Sequence, residues 1–168
     1  MEGKYKPDCK CVAGRFKVYD PRKRCRWKRA MAAKLELDVV GEALRRMGLL
    51  RQFAYCPNGK VDWIWTYNGW EIECKRFRKT KYVTRRWLEI EAVQRFSENA
   101  ERKILVVTKK VWDKNCDEYL EENGIDVIVV GRIDSKSEVE AAIERFEDAF
   151  LELVRKTALQ KVMIVERN

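Results

Sequence analysis

Two near-continuous apolar runs, KILVVT at 103–108 and IDVIVV at 125–130, read as strands buried on both faces of a sheet. Between them, 113–123 carries helical spacing and is stopped by Gly124. A strand, helix and strand in that order predict a βαβ unit, so at least part of the sheet is parallel. Upstream, residues 61–66 and 70–75 flank Asn68-Gly69 and read as a hairpin, preceded by a short strand at 52–56 and the turn Pro57-Asn58-Gly59. Asp20-Pro21 has the form of a helix start, with helical patterning running to about Gly48. A further helix is predicted over 84–99, with Trp87, Leu88, Ile90, Val93 and Phe96 as its apolar residues. Ser137-Glu138-Val139-Glu140 forms a capping box ahead of a long amphipathic helix on Val139, Ala142, Ile143, Phe146, Phe150 and Leu153. That stripe covers either the sheet or a second copy of the chain. KVMIV at 161–165 fits an edge strand and a helix tail equally well. The elements predict an α/β protein with a mixed central sheet flanked by helices, without repeats or flexible linkers.

Four positions do not fit this patterning. In VDWIWTYNGWEIECKR, residues 61–76, the charges of Asp62, Glu73 and Lys75 interrupt aromatic and aliphatic strands. Alternation puts Glu71, Glu73 and Lys75 on one strand face and Ile72 and Cys74 on the other. The hairpin turn brings Asp62, Glu73 and Lys75 to one end of the sheet. In KLELDVVGEALRRMG, 100° steps place Leu35, Leu37, Val39, Val40, Ala43, Leu44 and Met47 on one arc, with Glu36 near its middle and Asp38 and Glu42 opposite. A carboxylate there is costly unless it snorkels outward, pairs with a cation or binds a metal.

Composition narrows the chemistry. The 168 residues are 46% hydrophobic and 38% charged, which fits one globular domain preceded by an arm. We divide the chain into a basic arm and helix start at 1–29 and a domain at 30–168. There is no histidine, which excludes Ser/His/Asp and Cys/His catalysis and imidazole zinc sites. Few glutamines with many Glu, Lys and Arg is a balance enriched in thermophile proteins. No apolar run reaches the roughly 18 residues of a membrane span, and MEGKYKPDCK lacks a signal peptide's apolar stretch. The expectation is a cytoplasmic protein without a membrane partner. Cys9 and Cys11 are spaced too tightly for an ordinary zinc knuckle; a zinc site recruiting Cys25 and Cys56, free thiols and a disulfide all remain open.

The charge of +9 is concentrated. Residues 1–34 hold 12 Lys/Arg against 3 Asp/Glu, residues 75–86 hold 7 against none, and residues 109–168 hold 10 against 14. Such clustering is the footprint of a nucleic-acid surface, or else a solvated basic face. Candidate phosphate contacts are Arg76, Arg78, Lys79, Lys81, Arg85 and Arg86 beside the hairpin, with Tyr82 available to stack or hydrogen-bond. Arg22, Lys23, Arg24, Arg26, Lys28 and Arg29 surround Trp27 in the arm.

The order of elements, Val61-Asp62 and Glu73-Cys74-Lys75 together resemble the PD-(D/E)xK nuclease superfamily over roughly residues 30–131, with Val61 where the family often has proline. KLELDVV, VDWIW, EIECKR and KYVTRR look most like archaeal Holliday junction resolvases, followed by type IV restriction endonucleases. The resemblance implies a restriction-endonuclease-like αβββαβ core with an extra αβ unit and a C-terminal amphipathic helix. It implies Asp62 and Glu73 as Mg²⁺ ligands with the Cys74 carbonyl, Mn²⁺ as a substitute, Glu36 binding directly or through water, and Lys75 orienting the attacking water. Glu71 is a supporting residue or a salt-bridge partner, and Gln94 matches a helical polar position found in some members. The expected function is a metal-dependent, structure-specific endodeoxyribonuclease acting on DNA as a homodimer. A nuclease of restriction, viral or plasmid type and a non-catalytic DNA-binding protein are the alternatives.

Overall fold

The structure is a computed structural model that describes residues 33–56 and 59–167. The helix start at Asp20-Pro21, the basic arm, Cys9, Cys11, Cys25 and Trp27 lie outside the described residues, as do Pro57 and Asn58 of the predicted turn.

Five strands form one sheet in chain order: β1 (Phe53–Tyr55), β2 (Trp63–Trp65), β3 (Trp70–Lys75), β4 (Arg102–Val107) and β5 (Ile125–Val129). The first three pair antiparallel and the last three parallel, giving the predicted mixed sheet. The turn joining β2 to β3 spans 66–69, and only Gly69 has a positive φ (75°). Asn68 instead accepts the Trp70 N–H at Oδ1 (3.3 Å), so the loop is four residues long and not a tight two-residue turn.

Helices cover both faces. On one side pack a π-helical segment (Leu35–Gly41), its continuation α1 (Glu42–Arg46) and the 31-residue α4 (Lys136–Glu166), over Ile72, Cys74, Ile104 and Val106. On the other pack α2 (Arg85–Glu91) and α3 (Lys114–Glu122), over Ile64, Leu105 and Val107. An aromatic cluster surrounds Phe150, which stacks on Phe146 (5.5 Å between centroids) and meets Phe53, Trp65 and Trp70 at 6.2, 5.6 and 5.7 Å.

Several elements differ from expectation. The first helix is wound as a π-helix over Leu35–Gly41, where α-helical steps were expected. The helix expected over 84–99 ends at Glu91, and after a break at Ala92 (φ −128°, ψ −67°) one 3₁₀ turn, Val93–Arg95, follows. The long helix is capped at Ser135 rather than Ser137: the Ser135 hydroxyl accepts from Glu138 N (3.2 Å), so the helix begins two residues before the capping box suggested. KVMIV is its tail, and there Leu159, Val162, Met163, Ile164 and Val165 are more than half exposed. Among the described residues no helix is long and apolar enough to cross a membrane.

Candidate active site

Asp62 lies one residue before β2, and its backbone is fastened on both sides. Its N–H donates to Ile72 O (3.1 Å), while its carbonyl accepts from Cys56 N (2.8 Å). The side chain turns toward β3, where Oδ2 accepts the Cys74 N–H (2.7 Å). On β3, Glu73 is buried at 4% exposure, and Lys75 Nζ lies 2.8 Å from its Oε1. The π-helix brings Glu36 to the same end: its main-chain carbonyl accepts the indole N–H of Trp63 (3.0 Å), the residue after Asp62. Glu36 Oε2 is buried and has no hydrogen-bond partner. Such π segments occur often at functional sites, and here the wider winding carries the site's fourth charged residue.

Burial raises all three carboxyl groups, and the Asp62 charge adds to the rise of the other two. Burial, then the Asp62 charge, push Glu36 from 4.5 to about 8, with Glu73 adding to the rise and Lys75 opposing it. Burial and then Asp62 also carry Glu73 to about 7, outweighing the adjacent Lys75 ammonium. Asp62 is raised by burial in spite of the Cys74 N–H, Lys75 and Arg95. Three carboxyls crowded in low dielectric retain protons unless a cation compensates them. Burial also raises the Cys74 thiol well above its ordinary value, which keeps it an inert core residue, as expected from its face of the strand.

Oxygen donors from Glu36, Asp62 and Glu73 suit a hard divalent cation, and the unpartnered Glu36 oxygen is a lone pair left over for one. Among the described residues no three Asp, Glu or Cys side chains are already closed into a ligand cage. The reason is visible in the contacts: Asp62 Oδ2 is held by the Cys74 amide and Glu73 by Lys75.

Other sequence candidates have different roles. Glu71 is not part of the charged cluster. It is 1% exposed and accepts from both Ser97 N and Ser97 Oγ (2.7 Å each), fixing the chain after the 3₁₀ turn where the predicted helix would have continued. Glu71→Ala should lower unfolding stability by about 2–4 kcal/mol in a urea titration, because two hydrogen bonds are lost and the buried Ser97 N–H and hydroxyl are left without that acceptor. Gln94 is exposed, and the residue after it is the one that senses the site: Arg95 lowers Asp62 and Glu73 electrostatically. Arg95 Nη2 pairs with Glu91 Oε2 (3.2 Å), which in turn lies 3.8 Å from Lys75 Nζ. Glu91 and Arg95 were missed in the sequence, where an i,i+4 acid–base pair on a helix looks like ordinary surface patterning.

Of the basic segment, Arg78, Lys79 and Lys81 are exposed. Arg76 pairs with Asp134 (3.2 Å), Arg85 lies over the Tyr119 ring (4.3 Å) and Arg86 pairs with Glu89 (2.8 Å). Tyr82 is exposed and donates to Asp113 Oδ2 (3.3 Å). Arg22, Lys23, Arg24, Arg26, Lys28 and Arg29 lie outside the described residues. Cys74 and Cys116 are buried free thiols, and Cys56 is buried.

Compared with family models, curated proteins and solved structures, the chain finds no match. The functional reading rests on the site's own chemistry.

Proposed function

We propose that the protein is a Mg²⁺-dependent endodeoxyribonuclease of the PD-(D/E)xK type, structure-specific in the manner of a Holliday junction resolvase. The observation that carries this reading is the buried, unpartnered Glu36 oxygen at the sheet end shared by Asp62, Glu73 and Lys75. A helix bearing Glu36, three antiparallel strands, a helix and a parallel strand is also the order expected of a restriction-endonuclease-like core.

Asp62, Glu73 and Glu36 would hold the ion. A bound Mg²⁺ supplies charge neutralisation at the transferring phosphoryl group and activation of water. Lys75, on the last residue of β3, presents an ammonium to the attacking water and to developing negative charge. Glu91 shares that ammonium with Glu73 and limits where it can point. The exposed cations after β3 hold phosphates flanking the scissile bond, and the exposed apolar tail of α4 offers a surface on which two copies could pair.

The test incubates four-way junction, duplex and single-stranded DNA with the protein in Mg²⁺ and in EDTA, beside Lys75→Ala. The expected result is junction cutting in Mg²⁺ only, weakened about 10²–10³-fold or more by the substitution. Cutting in EDTA, or full activity of Lys75→Ala, overturns the mechanism. Salt-sensitive binding without cleavage of any substrate identifies a DNA-binding protein instead.

A further inference from the structure

Beyond the carboxylate site, the carboxyl ends of β3, β4 and β5 open onto a cleft of about 710 Å³. Its wall carries five cations, Arg76, Arg78, Lys79, Lys109 and Arg132, against one carboxylate, Asp134. Asp134 is shared by Arg76 and Arg132 at 3.2 Å each, and Arg132 also lies 3.7 Å from Glu138. Among the described residues, Arg78, Lys79 and Lys109 have no carboxylate within ion-pair distance.

The backbone holds these like charges together. Phe77 N donates to Thr108 Oγ1 (2.8 Å), which donates back to Phe77 O (3.2 Å), and Lys109 Nζ reaches Arg78 O (3.5 Å). The loops after β3 and β4 are thereby tied to each other, which keeps the stems of these side chains on one wall, and an anion between their charged ends relieves their repulsion. The cleft is of a size that takes small ligands. Its apolar wall residues, Phe77 and Ile133, are buried at 9% and 1% exposure and offer no ring on which a base could stack. The lining therefore reads charge and not bases.

We propose that this cleft grips the phosphodiester backbone of the DNA strand leaving the carboxylate site, without regard to sequence. That the polymer is DNA rests on the nuclease reading; that the ligand is phosphate does not. Strands about 4.8 Å apart place the ends of β4 and β5 roughly 5 and 10 Å from the end of β3. A strand held at Lys75 would run on over Lys109 and Arg132, so these two residues join Arg78 and Lys79 as phosphate contacts.

The experiment measures fluorescence anisotropy of labelled junction and duplex oligonucleotides of unrelated sequence, in EDTA, across a salt series. It compares the full-length protein, Arg78→Ala/Lys109→Ala, and Lys156→Ala on exposed α4 as a control, with thermal melts to verify folding. The double variant should bind all oligonucleotides roughly tenfold more weakly, and its slope of log affinity against log salt should fall by about 2, near 0.9 per phosphate contact. Lys156→Ala should match the parent. An unchanged slope and affinity in the folded double variant overturns the cleft as a DNA contact. So does displacement of micromolar pyrophosphate from the cleft with DNA binding intact, which would mark a small-anion site. Because binding is read without Mg²⁺, parent protein that binds but never cuts counts against the nuclease reading alone, and parent protein that binds no DNA counts against both.

Discussion

Glu36→Gln should melt at a higher temperature than the parent in metal-free buffer at pH 8 while losing Mg²⁺-dependent cleavage. In the parent, Glu36 titrates near 8 in the fold against 4.5 ordinarily, because it is buried beside Asp62 and Glu73. An acid whose folded pKa lies above its unfolded value binds more protons in the fold. Its contribution is therefore present at low pH and is lost as pH rises from about 4.5 toward 8. Glu73, raised to about 7, adds loss of the same sign over the lower part of that window. At 1.36 kcal/mol per pKa unit the penalty at pH 8 is on the order of a few kcal/mol, so the amide should raise the midpoint by roughly 5–10 °C. The two melting curves should converge near pH 4.5. Millimolar Mg²⁺ should stabilise the parent more than the variant, since only the fold binds the ion. A variant that melts lower than the parent at pH 8, or cuts as well as the parent, would show that Glu36 is paired in solution and stands outside the chemistry.

Phe150→Ala should produce the largest loss of stability of any single truncation considered. The ring is fully buried and touches four other aromatic rings, Phe53 of β1, Trp65 of β2, Trp70 of β3 and Phe146 of its own helix. Removing it deletes the transfer energy of the ring and leaves a cavity that rigid indoles cannot close, a cost of about 3–5 kcal/mol. Urea unfolding followed by tryptophan fluorescence measures it directly, because Trp65 and Trp70 line the gap. Retention of the parent midpoint would mean that α4 docks through Ala142, Ile143 and Phe146 without it.

The strands and their neighbours were legible in the sequence because their signals are local. KILVVT is the buried strand its apolar run predicts, whereas IDVIVV is a strand at the sheet edge with Val129 45% exposed and not one buried on both faces, and the charges of Asp62, Glu73 and Lys75 stood out against an apolar hairpin. Gly124 stopped α3 as expected, and Asp113 caps it through its bond to Cys116 N (3.0 Å). What the sequence concealed depends on contacts between distant residues. The early end of α2 follows from Glu71 bonding Ser97, 26 positions away, which no local pattern encodes. Glu91 and Arg95 reach the charged cluster only because α2 crosses the end of β3, and Lys109 and Arg132 meet only where separate strands end together. KVMIV stayed ambiguous between strand and helix because four adjacent apolar residues have no period to read.

The π-helical turn has a consequence for how the chain can change length. Winding over Leu35–Gly41 spends more residues per turn than an α-helix does, so the segment behaves as an α-helix with a residue inserted. Deleting one residue just after Glu36 would let the backbone return to α geometry without disturbing Val39, Val40 or Ala43 in the core. It would also rotate everything before the deletion by about 100°, one α-helical step, and carry the Glu36 carboxyl away from Asp62 and Glu73. The position of this acid is therefore fixed by a count of residues as well as by their identity, and loss of a single codon would silence the site and turn Leu35, now fully buried, out of the core.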